Sequence, residues 1–94
     1  MRSERIRRNC LHHVIGEMGN WALWHPRERT YELWHYSTLM LEWKEDDAGK
    51  CHAIYYSVGK GSVTDQQIMN AVFDELLIPL RYKRDGGNPR IEGV

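Results

Sequence analysis

The chain has 94 residues, and its 13 basic and 13 acidic residues give a formal net charge of zero. That length fits one domain, 1–94, and the balanced charge argues against a protein that coats long stretches of duplex DNA. No apolar segment approaches the roughly 20 residues that a membrane span needs, and no apolar run follows the first arginines as in a signal peptide. With two cysteines, too few for a disulfide framework, we expect a cytoplasmic protein.

The N-terminal stretch is basic and has a helical spacing of apolar residues. Ser3 can cap a helix, and Gly16 is a suitable stop. These features predict a helix over residues 4–15. The alternative is a strand over residues 11–15, because the same stretch ends in a short apolar run.

The central strand of a small sheet is predicted over Tyr31–Trp43, a run without Gly or Pro that is rich in strand-forming residues. Alternate side chains of a strand point to opposite faces, so Leu39 and Leu41 are expected to face the core. A short aromatic strand over Trp21–Trp24 precedes it, and the polar residues 25–30 form the connecting loop.

A hairpin is predicted after the central strand. Residues 45–50 have the small and polar composition of a turn, and a strand pattern resumes over Cys51–Val58. A loop of four residues, 46–49, places Leu41 opposite Ile54 and keeps both apolar sets on one face.

One amphipathic helix follows the sheet. Thr64 with Gln67 three residues later is a capping box, and Pro79 prevents the helix from continuing, so we predict a helix over Asp65–Leu77. Six apolar residues cover about half of its circumference. They are Ile68, Met69, Val72, Phe73, Leu76 and Leu77.

The C-terminal stretch reads as a hairpin. Leu80–Lys83 alternates as a strand, Asp85–Asn88 is a turn, and Arg90–Val94 forms a last strand that Pro89 confines to an edge. The predicted architecture is α+β: a small antiparallel meander sheet with one amphipathic helix packed on its inner face and the N-terminal helix added.

The two cysteines and three of the histidines invite a zinc hypothesis. Two thiolates and two imidazoles suit a tetrahedral site. Neighbouring residues on a strand point apart, however, and the spacing matches no known zinc pattern, so buried cysteine and surface histidine are the better interpretation. We therefore predict no metal and no cofactor. The residues concerned are Cys10, His12, His13, Cys51 and His52.

Two further patterns are weighed against structural explanations. Gly59–Ser62 lies before a helix start, where free N–H groups can hold an anion, but it lacks the spacing of a phosphate loop. His35 and Ser37 share a strand face, and an acidic residue could join them after folding. No nucleophile elbow surrounds Ser37, so a hydrogen-bonded histidine in the core is preferred and no enzyme activity is predicted.

The face of the central strand opposite its leucines is the strongest functional feature. Aromatic residues and methionine are enriched in protein interfaces, and together they form a patch larger than a monomer normally exposes. The N-terminal helix, a second copy or a different protein could cover it. The predicted partner-binding residues are Trp34, Tyr36, Met40 and Tyr55.

The alternative function is binding of single-stranded nucleic acid. Cations cluster near both ends of the chain, and exposed aromatic rings would supply stacking surfaces for bases. The residues in this alternative are Arg2, Arg5, Arg7, Arg8, Arg81, Lys83, Arg84 and Arg90.

Three short stretches also carry a resemblance to a class of small proteins. They are His35–Leu39, Tyr55–Ser57 and Ser62–Asn70, and residues 30–84 as a whole resemble small uncharacterised proteins of phages, plasmids and other mobile elements. The resemblance implies a context rather than a chemistry: a protein that binds and inhibits a host machine, such as an anti-CRISPR inhibitor.

Overall fold

A computed structural model describes residues 21–94, so the helix predicted over residues 4–15 lies outside the described part of the chain. Four strands form an antiparallel meander in chain order: β1 (Trp21–Arg27), β2 (Thr30–His35), β3 (Thr38–Glu45) and β4 (Cys51–Tyr56). One helix follows, α1 (Val63–Leu76). A two-stranded sheet completes the fold, with β5 (Leu80–Lys83), a 3₁₀ turn (Asp85–Gly87) and β6 (Arg90–Gly93). The predicted small α+β fold is confirmed.

The predicted single strand over Tyr31–Trp43 is wrong, because it is a hairpin of β2 and β3. His35 pairs with Thr38 across a two-residue turn, and Tyr36, the first turn residue, has φ +55°. Tight turns of this kind usually show Gly or Asn, since other residues pay a steric cost in the left-handed region. Tyr36 and Ser37 give no such signal, so the turn was not recognisable from composition.

The register predicted for β3 and β4 is also wrong. Leu41 pairs with Tyr56 rather than with Ile54, and Trp43 pairs with Ala53. Two features shift it. Oδ1 of Asp46 accepts hydrogen bonds from two backbone N–H groups of the turn, which lengthens the loop by one residue, and Ile54 forms a β-bulge between the pairs.

The start and end of α1 differ slightly from prediction. Ser62 is the N-cap, and its side chain forms a capping box with Asp65, two residues before the predicted pair of Thr64 and Gln67. Leu77 ends the helix with φ +57° and is 83% exposed, so it does not belong to the buried stripe. The other five predicted stripe residues are buried: Ile68, Met69, Val72, Phe73 and Leu76.

The core lies between the inner face of the four-stranded sheet, α1 and the small sheet. Leu23, Leu33 and Leu41 align across three strands and are buried, as is Trp43 in the next row. Asn70 of α1 bonds both backbone groups of Tyr82 through its side-chain amide, at 2.7 and 3.0 Å, and so holds β5 against the helix. The prediction that both leucines face the core is confirmed for Leu41 but is wrong for Leu39, which is only partly buried and stands opposite Trp34.

The C-terminal hairpin agrees with prediction to within one residue. β5 covers Leu80–Lys83, and β6 covers Arg90–Gly93 and follows Pro89. Among residues 21–94, no helix has both the length and the apolar character that crossing a membrane would require.

Candidate functional site

The outer face of the four-stranded sheet carries a row of aromatic and acidic side chains. Strand pairing aligns Trp24, Glu32, Glu42 and Tyr55 across β1 to β4, and Trp34 lies two positions from Glu32 on β2. The neighbouring positions along each central strand are the buried leucines, so these residues point away from the core. We term Trp24, Glu32, Trp34, Glu42 and Tyr55 the outer face.

The two glutamates of the outer face sit among its rings and are themselves bonded. Trp34 donates its indole N–H to Glu32 Oε1 at 3.0 Å, and Arg27 donates to Glu42 Oε2 at 3.1 Å. The side chain of Glu42 is only 16% exposed. The second carboxylate oxygen of each glutamate has no described hydrogen bond, and Arg27 shows that a guanidinium can reach this face.

The structure separates the four residues predicted to bind a partner. Trp34 and Tyr55 do lie on the outer face; Tyr55 is 47% exposed and Trp34 is half-buried. The prediction that Met40 lies on this surface is wrong, because its side chain is completely buried in the core. The bulge between the pairs Leu33–Leu41 and Trp34–Leu39 leaves Met40 as the extra residue of β3, which turns it inward beside Leu41.

Tyr36 occupies a different place, the tip of the β2–β3 turn. Its side chain is 65% exposed, and its ring centroid lies 4.8 Å from that of His35. The ammonium of Lys60 lies 6.0 Å above the Tyr36 ring, at the limit of a cation–π contact. Tyr36 therefore belongs to the cluster around His35 rather than to the outer face.

A buried carboxylate organises that cluster. Asp65 is wholly buried, and its Oδ2 accepts the backbone N–H groups of Lys60 and Ser62 at 3.2 and 3.4 Å. These are N–H groups of the glycine-rich loop considered for phosphate binding. Since the protein's own carboxylate already occupies them, the loop offers no free anion site there, and the structural interpretation of Gly59–Ser62 is the better one.

His35 completes the cluster from the end of β2. Its Nδ1 lies 2.9 Å from Asp65 Oδ1, so a hydrogen bond joins the end of β2 to the start of α1. The indole ring of Trp21 stacks on the imidazole ring of His35, with ring centroids 4.2 Å apart. An acidic residue thus joins His35, as the sequence allowed. Ser37 lies exposed in the turn, and no described hydrogen bond links it to His35.

Two more hydrogen bonds hold the loop before α1. Tyr82 donates its hydroxyl to the carbonyl of Val58, and burial raises the pKa of Tyr82, so the phenol stays protonated. Arg84 donates to the carbonyl of Gly61 at 2.7 Å. Together with the hydrogen bonds of Asp65, these bonds hold the loop of residues 58–62 in place before α1. We assign the cluster a structural role.

The zinc hypothesis finds no support in the described residues. Cys51 is buried, while His52 is half-exposed and lies 2.8 Å from Asp46. In residues 21–94 no three His, Cys, Asp or Glu side chains group as metal ligands. Cys10, His12 and His13 lie outside the described range.

Four of the basic residues named for nucleic-acid binding lie in the part of the chain that the structure describes. Three of the four already form ion pairs with acidic residues. Arg81 lies 2.6 Å from Asp74, and Lys83 lies 2.8 Å from Glu92. Arg90 contacts Glu92 and Asp85, and Arg84 serves the loop described above. Phosphate contacts from these residues would have to displace ion pairs. Arg2, Arg5, Arg7 and Arg8 lie outside residues 21–94, so nucleic-acid binding stays a prediction.

The ion pairs of the β5–β6 hairpin predict a pH dependence of stability. The hydrogen bond from Lys83, with that from Arg90, lowers the pKa of Glu92 to about 2. A carboxyl group whose pKa is lower in the folded state stabilises the fold above its unfolded pKa, near 4.5, and loses that contribution as the pH falls toward 2. We expect Glu92→Gln to reduce the drop in melting temperature between about pH 5 and pH 2, measured by circular dichroism.

The control for that experiment is Glu75→Gln on the exposed side of α1, which should leave the wild-type pH profile in place. Identical profiles for Glu92→Gln and wild type would contradict the assigned role of Glu92.

A surface that the sequence did not reveal lies along β4. Ile54, Tyr55 and Tyr56 are 52%, 47% and 44% exposed, although the predicted register places Ile54 on the core-facing side. The bulge at Ile54 and the edge position of β4 cause the exposure. Alternation in sequence cannot show either feature, because both depend on which strands become neighbours.

No protein-family model, no curated protein and no solved structure matches this chain at a significant level.

Proposed function

We propose that the protein is a protein-binding module whose outer face docks on a partner surface that presents an arginine or a lysine. The observation that supports this most is the placement of two carboxylates among three aromatic rings, on the sheet face opposite the core. Aromatic rings and hydrogen-bonded charges are the groups that dominate binding energy in protein interfaces.

The chemistry of the outer face favours a basic occupant. A guanidinium binds a carboxylate through two parallel hydrogen bonds and stacks on Trp or Tyr rings, so both residue types of the face can contribute. The overall charge agrees. Residues 1–20 hold four of the 13 basic and two of the 13 acidic residues, which leaves residues 21–94 with nine basic and eleven acidic.

The proposed use of this binding is inhibition of a host protein in the cytoplasm. The support is the resemblance of residues 30–84 to mobile-element proteins, of which anti-CRISPR inhibitors are one kind. An inhibitor of this type acts by covering a surface and needs no reaction of its own, which suits a non-enzymatic module with an open sheet face.

The test compares what full-length variants capture from a lysate of the cell that expresses the chain. Trp34→Ala removes the central ring, and Glu42→Gln removes one charge while keeping the shape. We expect one protein to be retained by wild type and about tenfold less by either variant, as mass spectrometry would quantify. The matched control is Val63→Ala, which trims a 51% exposed apolar residue on α1 and should change nothing.

Other occupants of the outer face would give different results. If the protein sediments as a dimer and Trp34→Ala converts it to a monomer, a second copy of the chain is the occupant and the proposed partner is overturned.

A full-length variant with Arg2, Arg5, Arg7 and Arg8 all changed to Ala tests whether residues 1–20 are the occupant. In an NMR spectrum of that variant, the resonance of the Trp34 indole N–H should have the same chemical shift as in wild type. A changed chemical shift would indicate that residues 1–20 cover the outer face. Equal capture by wild type and both variants would also overturn the proposal.

A further inference from the structure

The two edges of the four-stranded sheet are protected to different degrees. β1 contains Pro26, which has no N–H to offer, and a register shift between Trp24 and Arg27 bends it. Proline and bulges are common devices that stop another strand from adding to an edge. β4 contains no proline, and among residues 21–94 no strand pairs with its other side.

Three consecutive exposed side chains of β4 are apolar or aromatic, at a place where an edge strand usually carries charge. Ile54, Tyr55 and Tyr56 follow one another and are each about half exposed, at 52%, 47% and 44%. An exposed apolar edge of this kind is a template for a further strand. The edge therefore has both the backbone and the side chains that strand addition requires.

A groove runs beside this edge. Two adjoining cavities of about 310 and 280 Å³ share Lys50 and Cys51. The first lies between β4 and the segment that connects α1 to β5, and the second continues toward the end of α1. The apolar residues of the far wall are Leu76, Leu77, Ile78, Pro79 and Leu80. An edge strand facing an apolar wall is the arrangement in which extended peptides dock by strand addition.

The backbone of β4 fits this arrangement. Asp46 donates its N–H to the carbonyl of Lys50, so these two residues form a bonded pair at the start of the ladder. Bonded and non-bonded pairs alternate in antiparallel strands. Counting along the register to the pair of Trp43 and Ala53 gives a non-bonded position, and the N–H and C=O of Ala53 therefore point toward the open edge.

We propose that the open edge of β4 binds an extended peptide segment of a partner protein, which adds as a fifth strand and places apolar side chains from alternate positions in the groove. A second copy of the chain is the weaker occupant. β4 has six residues and spans about 20 Å, and pairing two such strands buries much less than the roughly 800 Å² per subunit of a stable interface. A peptide can use the groove and needs no such area.

This inference does not depend on the outer face, and its test uses a defined probe. Random linear peptides of about twelve residues, displayed on phage, are selected against the full-length protein, and the enriched peptides are synthesised. We expect sequences with apolar residues at alternate positions. Ile54→Glu, which places a charge on the edge, should weaken their binding about tenfold or more in fluorescence polarisation.

The matched control is Val63→Glu, because Val63 on α1 has the same exposure as Ile54, 51% against 52%, and should leave peptide binding unchanged. Trp34→Ala should also leave it unchanged, which separates this surface from the outer face. In the complex, the amide of Ala53 should exchange more slowly with solvent. Failure to enrich any peptide, or equal binding by wild type and Ile54→Glu, would overturn the inference.

Discussion

Replacing Asp65 with alanine should lower the free energy of unfolding by about 3 kcal/mol, a large share of the stability of a domain this small. The carboxyl group is completely buried, accepts hydrogen bonds from two backbone N–H groups and forms a third hydrogen bond with His35. Its removal leaves those partly buried groups without their hydrogen-bond partner and removes half of the capping box of α1. Urea denaturation followed by tryptophan fluorescence would measure the loss.

The control for Asp65 lies on the same helix. Asp74 is 65% exposed and pairs with Arg81, so Asp74→Ala should cost less than about 1 kcal/mol. Asp65→Asn, which keeps one acceptor oxygen and loses the charge, should fall between the two. A loss for Asp65→Ala no larger than that for Asp74→Ala would show that the cluster around His35 does not hold β2 to the helix.

Replacing Trp43 with alanine should cost about 4 kcal/mol, whereas the same change at Trp34 should cost about 1 kcal/mol. Trp43 has no exposed surface and stacks on Tyr31 with ring centroids 5.5 Å apart, so its loss leaves a cavity in the core. Trp34 is half-buried on the outer face, where water can occupy the space that the ring leaves. Circular dichroism melts of the two variants would compare these losses.

The pair of tryptophan variants also separates folding from binding. We expect Trp34→Ala to keep most of its stability and to lose its partner, and Trp43→Ala to lose much of its stability. Equal stability losses at the two positions would mean that the sheet does not have one buried and one open face.

The two proposed binding surfaces meet at β4 and make different demands on a partner. Tyr55 contributes to the outer face, while Ile54 and Tyr56 line the open edge beside it. The outer face calls for a basic side chain, and the edge calls for an extended apolar segment. One partner with a basic residue next to such a segment could use both surfaces, and the variants Trp34→Ala and Ile54→Glu would report on each separately.

Local patterns were sufficient wherever neighbouring residues alone decide the outcome. The apolar stripe and the proline that follows it predicted α1, and alternation between turn residues predicted β5 and β6. Leucines at alternate positions predicted that Leu41 faces the core. Each of these features depends on side chains within one turn of helix or two residues of strand.

The candidate site was less predictable, because strand geometry moved its residues. The turn at Tyr36 divides the expected strand, and it carries a bulky residue in the left-handed region where the glycine signal is missing. The bulge at Met40 then reverses the direction of that side chain, and the bulge at Ile54 exposes the edge of β4. A bulge adds one residue to one strand only, so its position appears only when both strands are in place.

The sequence by itself determined the class of the fold, the helix with its buried stripe and the aromatic surplus of the sheet. Only the tertiary structure decided which aromatic side chains reach the surface, that Asp65 fills the glycine-rich loop, and that β4 has an open edge beside a groove. The periodic spacing of apolar residues is a property of one segment, so it can be recognised from the sequence alone. Register, bulges and edges are relations between segments, and they exist only once the segments have packed together.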